Sequence, residues 1–141
     1  MKFGLPRNAG FTLLELLVVL GIIAMLAGIV GPAVMKHMGD SKTKAAKVQI
    51  EDLSSALDMY KLDEGRYPSQ QQGLQALIEK PSDARRWNGP YLRKEKVPED
   101  PWRQDYHYVF PGQHGKFDLF SYGADEKEGG TGEDQDINSW D

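Results

Sequence analysis

The sequence predicts an α+β fold in which one long N-terminal helix precedes a small antiparallel sheet. An apolar run over residues 11–35 passes into a helical spacing of apolar residues that continues to about residue 63. Two aromatic-rich segments, 106–110 and 117–122, are joined by Pro-Gly-Gln-His-Gly, which is typical of a hairpin connection. These patterns predict a helix and a hairpin, and each of them forms one side of a small core.

Residues 11–35 form a run whose only charge is Glu15. A helix of this length spans roughly 30 Å of hydrocarbon, and the run is too long for the apolar region of a cleaved secretory signal. Lys2 and Arg7 precede the run and favour a cytoplasmic N-terminus, although Lys36 follows it. The sequence therefore predicts a single membrane-spanning helix.

Glu15 is the informative residue of this run, because an ionised carboxylate in a membrane helix costs a few kcal/mol unless it has a partner. Two interpretations stay open from the residues alone: the side chain reaches the membrane interface, or it pairs with a cation. Farther along, Gly28, Gly31 and Pro32 weaken the helix, which predicts either a kink there or an ordinary membrane helix.

After Met38 the apolar residues recur with spacings of four, three, four and three, which is one face of an amphipathic helix over residues 40–63; they are Ala46, Ile50, Leu53, Leu57 and Tyr60. Gly65 and Pro68 end this helix. The segment 39–41, Gly-Asp-Ser, is a place where the long helix could be interrupted. A short amphipathic helix is predicted over 70–79, and a loop over 81–102 anchored by aromatic residues.

Charge is uneven along the 141 residues. The segment 125–141 carries seven acidic side chains and one lysine, so the net charge of −4 arises there and the remainder is weakly positive. A weak positive balance is not the basic surface of a nucleic-acid-binding protein.

The chain has no cysteine, which excludes disulfides, thiolate metal sites and a cysteine nucleophile. One small globular domain is the most that this length supports.

The leader Lys-Phe-Gly-Leu-Pro-Arg-Asn-Ala-Gly, followed by Phe11-Thr12-Leu13-Leu14-Glu15, resembles the signature of type IV pilins and type II pseudopilins. The resemblance implies that a prepilin peptidase cuts between Gly10 and Phe11 and that Phe11 is N-methylated. It also implies that Glu15 serves filament assembly, by pairing with the new amine of Phe11 on a neighbouring subunit.

Further motifs resemble the major pseudopilins of the type II secretion system: Leu57 to Asp63 with Gly65-Arg66-Tyr67-Pro68, Gln72 to Leu77, Asp100-Pro101-Trp102, and Phe120 to Asp125. The resemblance implies a pilin-like fold with a cleaved leader (1–10), a transmembrane and assembly helix (11–35) and a periplasmic head (36–141). It also implies an inner-membrane protein that forms a homopolymeric periplasmic pseudopilus, with minor pseudopilins and the secretion platform as partners, to help move folded proteins across the outer membrane.

The acidic C-terminal segment has few large apolar residues, so it is either solvated or ordered by a cation. Calcium takes carboxylate and carbonyl oxygens, but the EF-hand pattern is missing. The resemblance implies a calcium site here, and the expected ligands are the side chains of Asp125 and Asp136, with Asp134 as a competitor, and oxygens of Leu119, Tyr122 and Ser139. Zinc is not expected, since His37, His107 and His114 are scattered in the sequence.

No catalytic motif is found in the sequence: there is no Gly-x-Ser-x-Gly, no phosphate-binding glycine loop and no His-Glu-x-x-His. We therefore expect a structural protein and not an enzyme. Two alternatives remain at this point, a membrane-anchored monomeric calcium-binding protein and a different type IV pilin-like subunit.

Overall fold

A computed structural model describes residues 10–141. Helix α1 runs from Leu13 to Glu64, 52 residues without a break. It is followed by a short 3₁₀ helix, Gly73–Leu77, and by three strands, β1 (His107–Val109), β2 (Asp118–Ser121) and β3 (Ile137–Asn138). The chain divides into two compact units, of which the first ends at His37 and the second is Met38–Asp141.

In the second unit, α1 supplies one wall of the core. The five apolar residues identified by their helical spacing are all buried, and the fully buried members include Ala46, Leu57 and Tyr60. The polar positions between them remain at the surface, as an amphipathic helix requires. The prediction of this helix and its buried face is confirmed.

Helix α1 ends at a glycine. Gly65 has φ +79°, which a residue with a side chain rarely adopts, and its N–H donates to the Lys61 carbonyl at 2.8 Å. The prediction of a helix over 70–79 was wrong in type and extent. Gly73 has φ +56°, so a right-handed helix cannot pass through it, and a single 3₁₀ segment begins at this residue and ends at Leu77.

The sheet is antiparallel with the order β1-β2-β3. The hairpin of β1 and β2 confirms the two predicted strands, and its register places Tyr108 opposite Leu119. Sequence reasoning missed β3, which pairs Ile137 with Ser121. The core face of the sheet carries Tyr108, Leu119 and Ile137, and all three are buried with the α1 residues.

The outer edge of β1 is covered by one side chain. The Gln70 amide nitrogen donates to the Tyr108 carbonyl at 2.8 Å, and the Phe110 N–H donates to the Gln70 amide oxygen at 2.7 Å. Gln70 thus takes the place of a neighbouring strand and satisfies backbone groups that would otherwise be open to pairing with another chain.

The three tryptophans differ in their surroundings. Trp87 and Trp102 are half-buried against the core, and the Trp87 Nε1–H donates to the Ala76 carbonyl at 2.8 Å. Trp140 instead stacks on the His114 ring, with 4.1 Å between ring centroids and 8° between planes. The loop over 81–102 is held to the core by the first two tryptophans and by Tyr91.

Candidate functional site

The predicted cleavage bond lies at the start of the described residues. Gly10 and Phe11 are outside any helix or strand, and Phe11 is 91% exposed. An exposed segment outside regular secondary structure is what a peptidase cleft can accept. Residues 1–9 of the predicted leader (1–10) fall outside the described residues.

Glu15 forms a capping box with Thr12. The Thr12 N–H donates to Glu15 Oε2 at 2.9 Å, and the Glu15 N–H donates to Thr12 Oγ1 at 3.2 Å. The Thr12 carbonyl accepts the first helical bond, from Leu16, so Thr12 is the N-cap of α1. The Thr-x-x-Glu spacing is a signal that sequence reasoning overlooked, and it gives Glu15 a role in starting the helix.

The N-terminal part of α1 exposes its apolar side chains on all sides. Its most apolar stretch of 18 residues has a mean hydropathy of 2.8 and is 0% buried. By length and composition this helix can cross a membrane. A core helix of a soluble domain would be covered by its own protein, and in the described part of this chain the stretch is not covered.

The positions where interruption of the helix was considered are helical. Pro32 lies inside α1, and so do residues 39–41. In the single chain, the helix is therefore continuous through both segments. Among the described residues, no atom lies within 4 Å of a methyl group built at Gly21, Gly28 or Gly31, so these glycines leave small gaps on the helix surface.

The acidic C-terminal segment folds back on itself at two glycines. A methyl group at Gly123 would lie 2.6 Å from the Glu133 carbonyl oxygen, and one at Gly130 would lie 2.3 Å from the Asp134 carbonyl oxygen. Both glycines have positive φ, +71° and +90°. Only glycine permits this close approach with this backbone, so the two passes of the loop pack directly against each other.

The three predicted carboxylates differ in environment. Asp125 is exposed, and its Oδ1 accepts the Lys127 N–H at 3.1 Å. Asp134 is exposed as well. Asp136 is half-buried; its Oδ2 accepts the Gly129 N–H at 2.9 Å, whereas its Oδ1 is fully buried and has no hydrogen-bond partner among the described residues.

Of the predicted backbone and hydroxyl ligands, Leu119 and Ser139 are brought together. The Ser139 N–H donates to the Leu119 carbonyl at 2.8 Å, and the Leu119 N–H donates to Ser139 Oγ at 3.1 Å. Tyr122 directly precedes the 3₁₀ turn Gly123–Asp125 and packs on the rings of His107 and Phe120. Leu119 thus lies in β2, Tyr122 directly follows β2, and Ser139 directly follows β3.

No group of three or more histidine or acidic side chains in residues 10–141 is arranged to hold a metal ion. A site here would need carbonyl oxygens in addition to carboxylates, which is the donor set that calcium accepts. The Oδ1 of Asp136, buried and without a partner among the described residues, has the chemistry of a cation ligand, because a buried carboxylate oxygen without a partner is costly. His107 and His114 are exposed.

Glu133 was not singled out from the sequence, yet its side chain connects this loop to α1. Its Oε2 accepts from Lys42 Nζ at 3.5 Å and from the Trp102 indole N–H at 3.1 Å. Its side chain also lies against Gly39. An acidic residue in an acidic segment carries no local signal of such a role, so only the tertiary structure identifies it.

Two family descriptions match the sequence. Residues 33–140 match the family described as type II secretion system (T2SS), protein G. Residues 5–31 match the prokaryotic N-terminal methylation motif. The second match includes the Gly10–Phe11 bond and Glu15, and the first includes most of the second structural unit.

Curated relatives resemble the chain over nearly its full length. The type II secretion system core protein G of Pseudomonas aeruginosa is 48% identical over 139 residues, covering 96% of each chain. That of Vibrio cholerae is 42% identical over 137 residues, covering 95% of this chain and 92% of the relative. The crystal structure of the major pseudopilin from the type 2 secretion system of enterohaemorrhagic Escherichia coli aligns with TM-score 0.63 and 35% identity, over 75% of this chain and 92% of that one.

Proposed function

The chain belongs to the type II secretion system protein G family, and from this premise we propose that it is the major structural subunit of a pseudopilus. The subunit is anchored in the inner membrane by the start of α1, with its N-terminus in the cytoplasm and residues 36–141 in the periplasm. Many copies assemble into a periplasmic filament that helps to move folded proteins across the outer membrane. The role is structural, and no catalytic step is assigned to the chain.

The exposed apolar part of α1 carries this proposal. Its large apolar side chains, such as Leu14, Ile23 and Met25, are 71%, 56% and 71% exposed. In water this surface would drive aggregation. Lipid covers it in the unassembled subunit, and the helices of other copies cover it in the filament. Gly21, Gly28 and Gly31 permit close helix packing, since a gap lies over each of them.

The peptidase, the methylation and the pairing of Glu15 follow from the signature around Gly10. Cleavage at the exposed Gly10–Phe11 bond leaves an amine one residue before the N-cap Thr12. A neighbouring copy then presents its Glu15 carboxylate to this amine. In a low-dielectric surrounding, a charge pair fixes the register between helices better than apolar contacts do.

The capping box allows a test that separates charge from helix capping. Glu15→Gln keeps an oxygen that can accept the Thr12 N–H and removes the charge, whereas Thr12→Ala removes the cap and keeps the charge. Each variant is expressed with the prepilin peptidase and the secretion apparatus, and sheared filaments are counted by electron microscopy. We expect Glu15→Gln to abolish filaments and Thr12→Ala to retain them.

The opposite pattern, with filaments from Glu15→Gln and none from Thr12→Ala, would assign Glu15 to helix initiation alone. If both variants still form filaments, the charge pair is removed from the proposal. If the processed chain without any substitution remains monomeric in the presence of the secretion apparatus, the alternative of a membrane-anchored monomer is correct.

Calcium is the second part of the proposal. The side chains of Asp125 and Asp136 would hold the ion, with Asp134 as a competitor and with oxygens of Leu119, Tyr122 and Ser139. Support comes from the buried, unpartnered Oδ1 of Asp136 and from the two glycines that let the loop fold back. The ion would supply positive charge to a segment that carries seven acidic side chains, and so would order the loop.

A further inference from the structure

The Glu133 side chain is the point at which the acidic loop meets helix α1. Its carboxylate faces Lys42 Nζ at 3.5 Å, and the Trp102 indole N–H donates to it at 3.1 Å. Both of the charged side chains are a little over one third exposed, 38% for Lys42 and 37% for Glu133. An ion pair this exposed contributes little by itself, so the role of Glu133 depends on how its side chain is seated.

Gly39 provides the space on α1 that the Glu133 side chain occupies, which we call the seat. It is buried although it lies on a helix face, and a methyl group built on it would come within 2.5 Å of Glu133 Cγ. A glycine inside a helix is less favourable than alanine. The gap at Gly39 is therefore filled by a side chain from the loop, in contrast to the glycines of the first unit, where nothing lies within 4 Å.

The backbone of Glu133 connects this seat to the proposed calcium ligands. The Glu133 carbonyl packs against Gly123, which lies two residues before Asp125. Glu133 itself lies three residues before Asp136. A cation that fixes Asp125 and Asp136 restricts the segment between them, and that segment includes Glu133. A fixed backbone reduces the entropy that the Glu133 side chain loses when it occupies the seat on α1.

We propose that Glu133, seated on Gly39 and held by Lys42 and Trp102, couples cation binding in the acidic loop to the order of α1 around residues 39–46. The inference rests on the calcium site of the proposed function. By thermodynamic reciprocity, calcium stabilises this part of the helix, and the seated glutamate strengthens calcium binding by the same factor. The loop thereby controls the helix segment at the beginning of the second unit.

Gly39→Ala tests the coupling without changing any charge. The added methyl displaces the Glu133 side chain, which is flexible and can turn away, while alanine favours the helix. Calcium affinity is measured by titration calorimetry on the full chain in detergent micelles. Exchange of amide hydrogens is followed over residues 39–46 with and without calcium. The matched control is Gly28→Ala, a glycine of the same helix whose methyl meets no atom within 4 Å.

We expect Gly39→Ala to weaken calcium binding by about fivefold, the lower end of common coupling factors, and to abolish the calcium-dependent protection of residues 39–46. Glu133→Ala should do the same, and Gly28→Ala should match the unmodified chain. Unchanged affinity and protection in Gly39→Ala would overturn the coupling and leave the calcium site intact. An unmodified chain that binds no calcium would overturn the calcium site and the coupling together.

Discussion

The Ser121 hydroxyl donates to Asp100 Oδ2 at 2.6 Å and joins the Asp-Pro-Trp turn to the end of β2. Asp100 is 4% exposed and Ser121 is 1% exposed. The other carboxylate oxygen of Asp100 accepts the N–H groups of Trp102 and Gln104, each at 2.9 Å. The Gly123 N–H donates in turn to Ser121 Oγ at 3.1 Å, so this network leads directly to the acidic loop.

Removing the Ser121 hydroxyl should destabilise the head. Ser121→Ala deletes a charge-assisted hydrogen bond and leaves a buried carboxylate oxygen without that donor, so we expect a loss of about 2 kcal/mol in the free energy of unfolding. Urea denaturation of the full chain measures it. Ser55→Ala is the control, because the Ser55 hydroxyl is exposed and donates to the Glu51 carbonyl of its own helix. Equal losses in the two variants would contradict the buried network.

Asp118 makes the head sensitive to acid. Burial alone would raise the pKa of this carboxyl, but the Gln113 N–H, the His114 ring and the His114 N–H all bond to it, and together they lower its pKa. A pKa lower in the folded than in the unfolded state stabilises the fold at pH above the unfolded value, about 3.9. This contribution is lost as the pH falls through the folded value.

Asp118→Asn should therefore lower stability more at pH 7 than at pH 3, and its stability should change less between these pH values than that of the unmodified chain. The measurement is urea denaturation at both pH values. Asp83→Asn is the control, since the pKa of Asp83 is also lowered, by Arg66, but the pair is exposed on both sides. An equal loss of stability at pH 7 and at pH 3 in Asp118→Asn would contradict the role of Asp118 in the acid sensitivity of the head.

Calcium should raise the melting temperature of the full chain in detergent relative to chelator. A ligand that binds only the folded state at one hundred times its Kd adds about 2.7 kcal/mol of stability. Asp136→Ala should abolish the increase, because it removes a buried oxygen that has no hydrogen-bond partner among the described residues. Asp141→Ala should preserve it, since this carboxylate is exposed and accepts from the Asn138 amide. No increase in the unmodified chain would remove calcium from the proposed function.

Local patterns in the sequence were sufficient for α1 and the hairpin, because a buried helix face and alternating strands leave a periodic signal. They were not sufficient for β3, which has only two residues and exists through its pairing with β2. The same limit applies to single carboxylates. Nothing near Asp100 in the sequence indicates its bond to Ser121, 21 residues away, and nothing near Glu133 indicates Gly39.

Arg103 adopts a left-handed backbone, with φ 69°, while its N–H donates to the Asp100 carbonyl at 2.9 Å. The left-handed region costs a residue with a Cβ about 1 kcal/mol and costs glycine nothing. Arg103→Gly should therefore be more stable than Arg103→Ala by about 1 kcal/mol, a comparison in which both variants lack the exposed arginine side chain. Equal stability of the two in urea denaturation would show that this backbone conformation carries no strain.

Two buried tyrosines differ in one hydrogen bond and provide the last test. The Tyr108 hydroxyl donates to the Pro68 carbonyl at 2.8 Å, whereas the Tyr60 hydroxyl is buried and has no partner among the described residues. Burial is the main cause of a raised pKa at both hydroxyls. Both rings belong to the same core, so their replacement by phenylalanine leaves the packing of the rings in place.

Tyr108→Phe should cost about 1 kcal/mol, because it removes a bond and leaves the Pro68 carbonyl buried without that donor. Tyr60→Phe should be neutral or stabilising, since it removes a hydroxyl that is buried away from water and makes no hydrogen bond to the described residues that compensates for its desolvation. Urea denaturation of the two variants decides the point. A loss in Tyr60→Phe as large as that in Tyr108→Phe would mean that the Tyr60 hydroxyl is bonded in solution, which a buried water molecule beside it would accomplish.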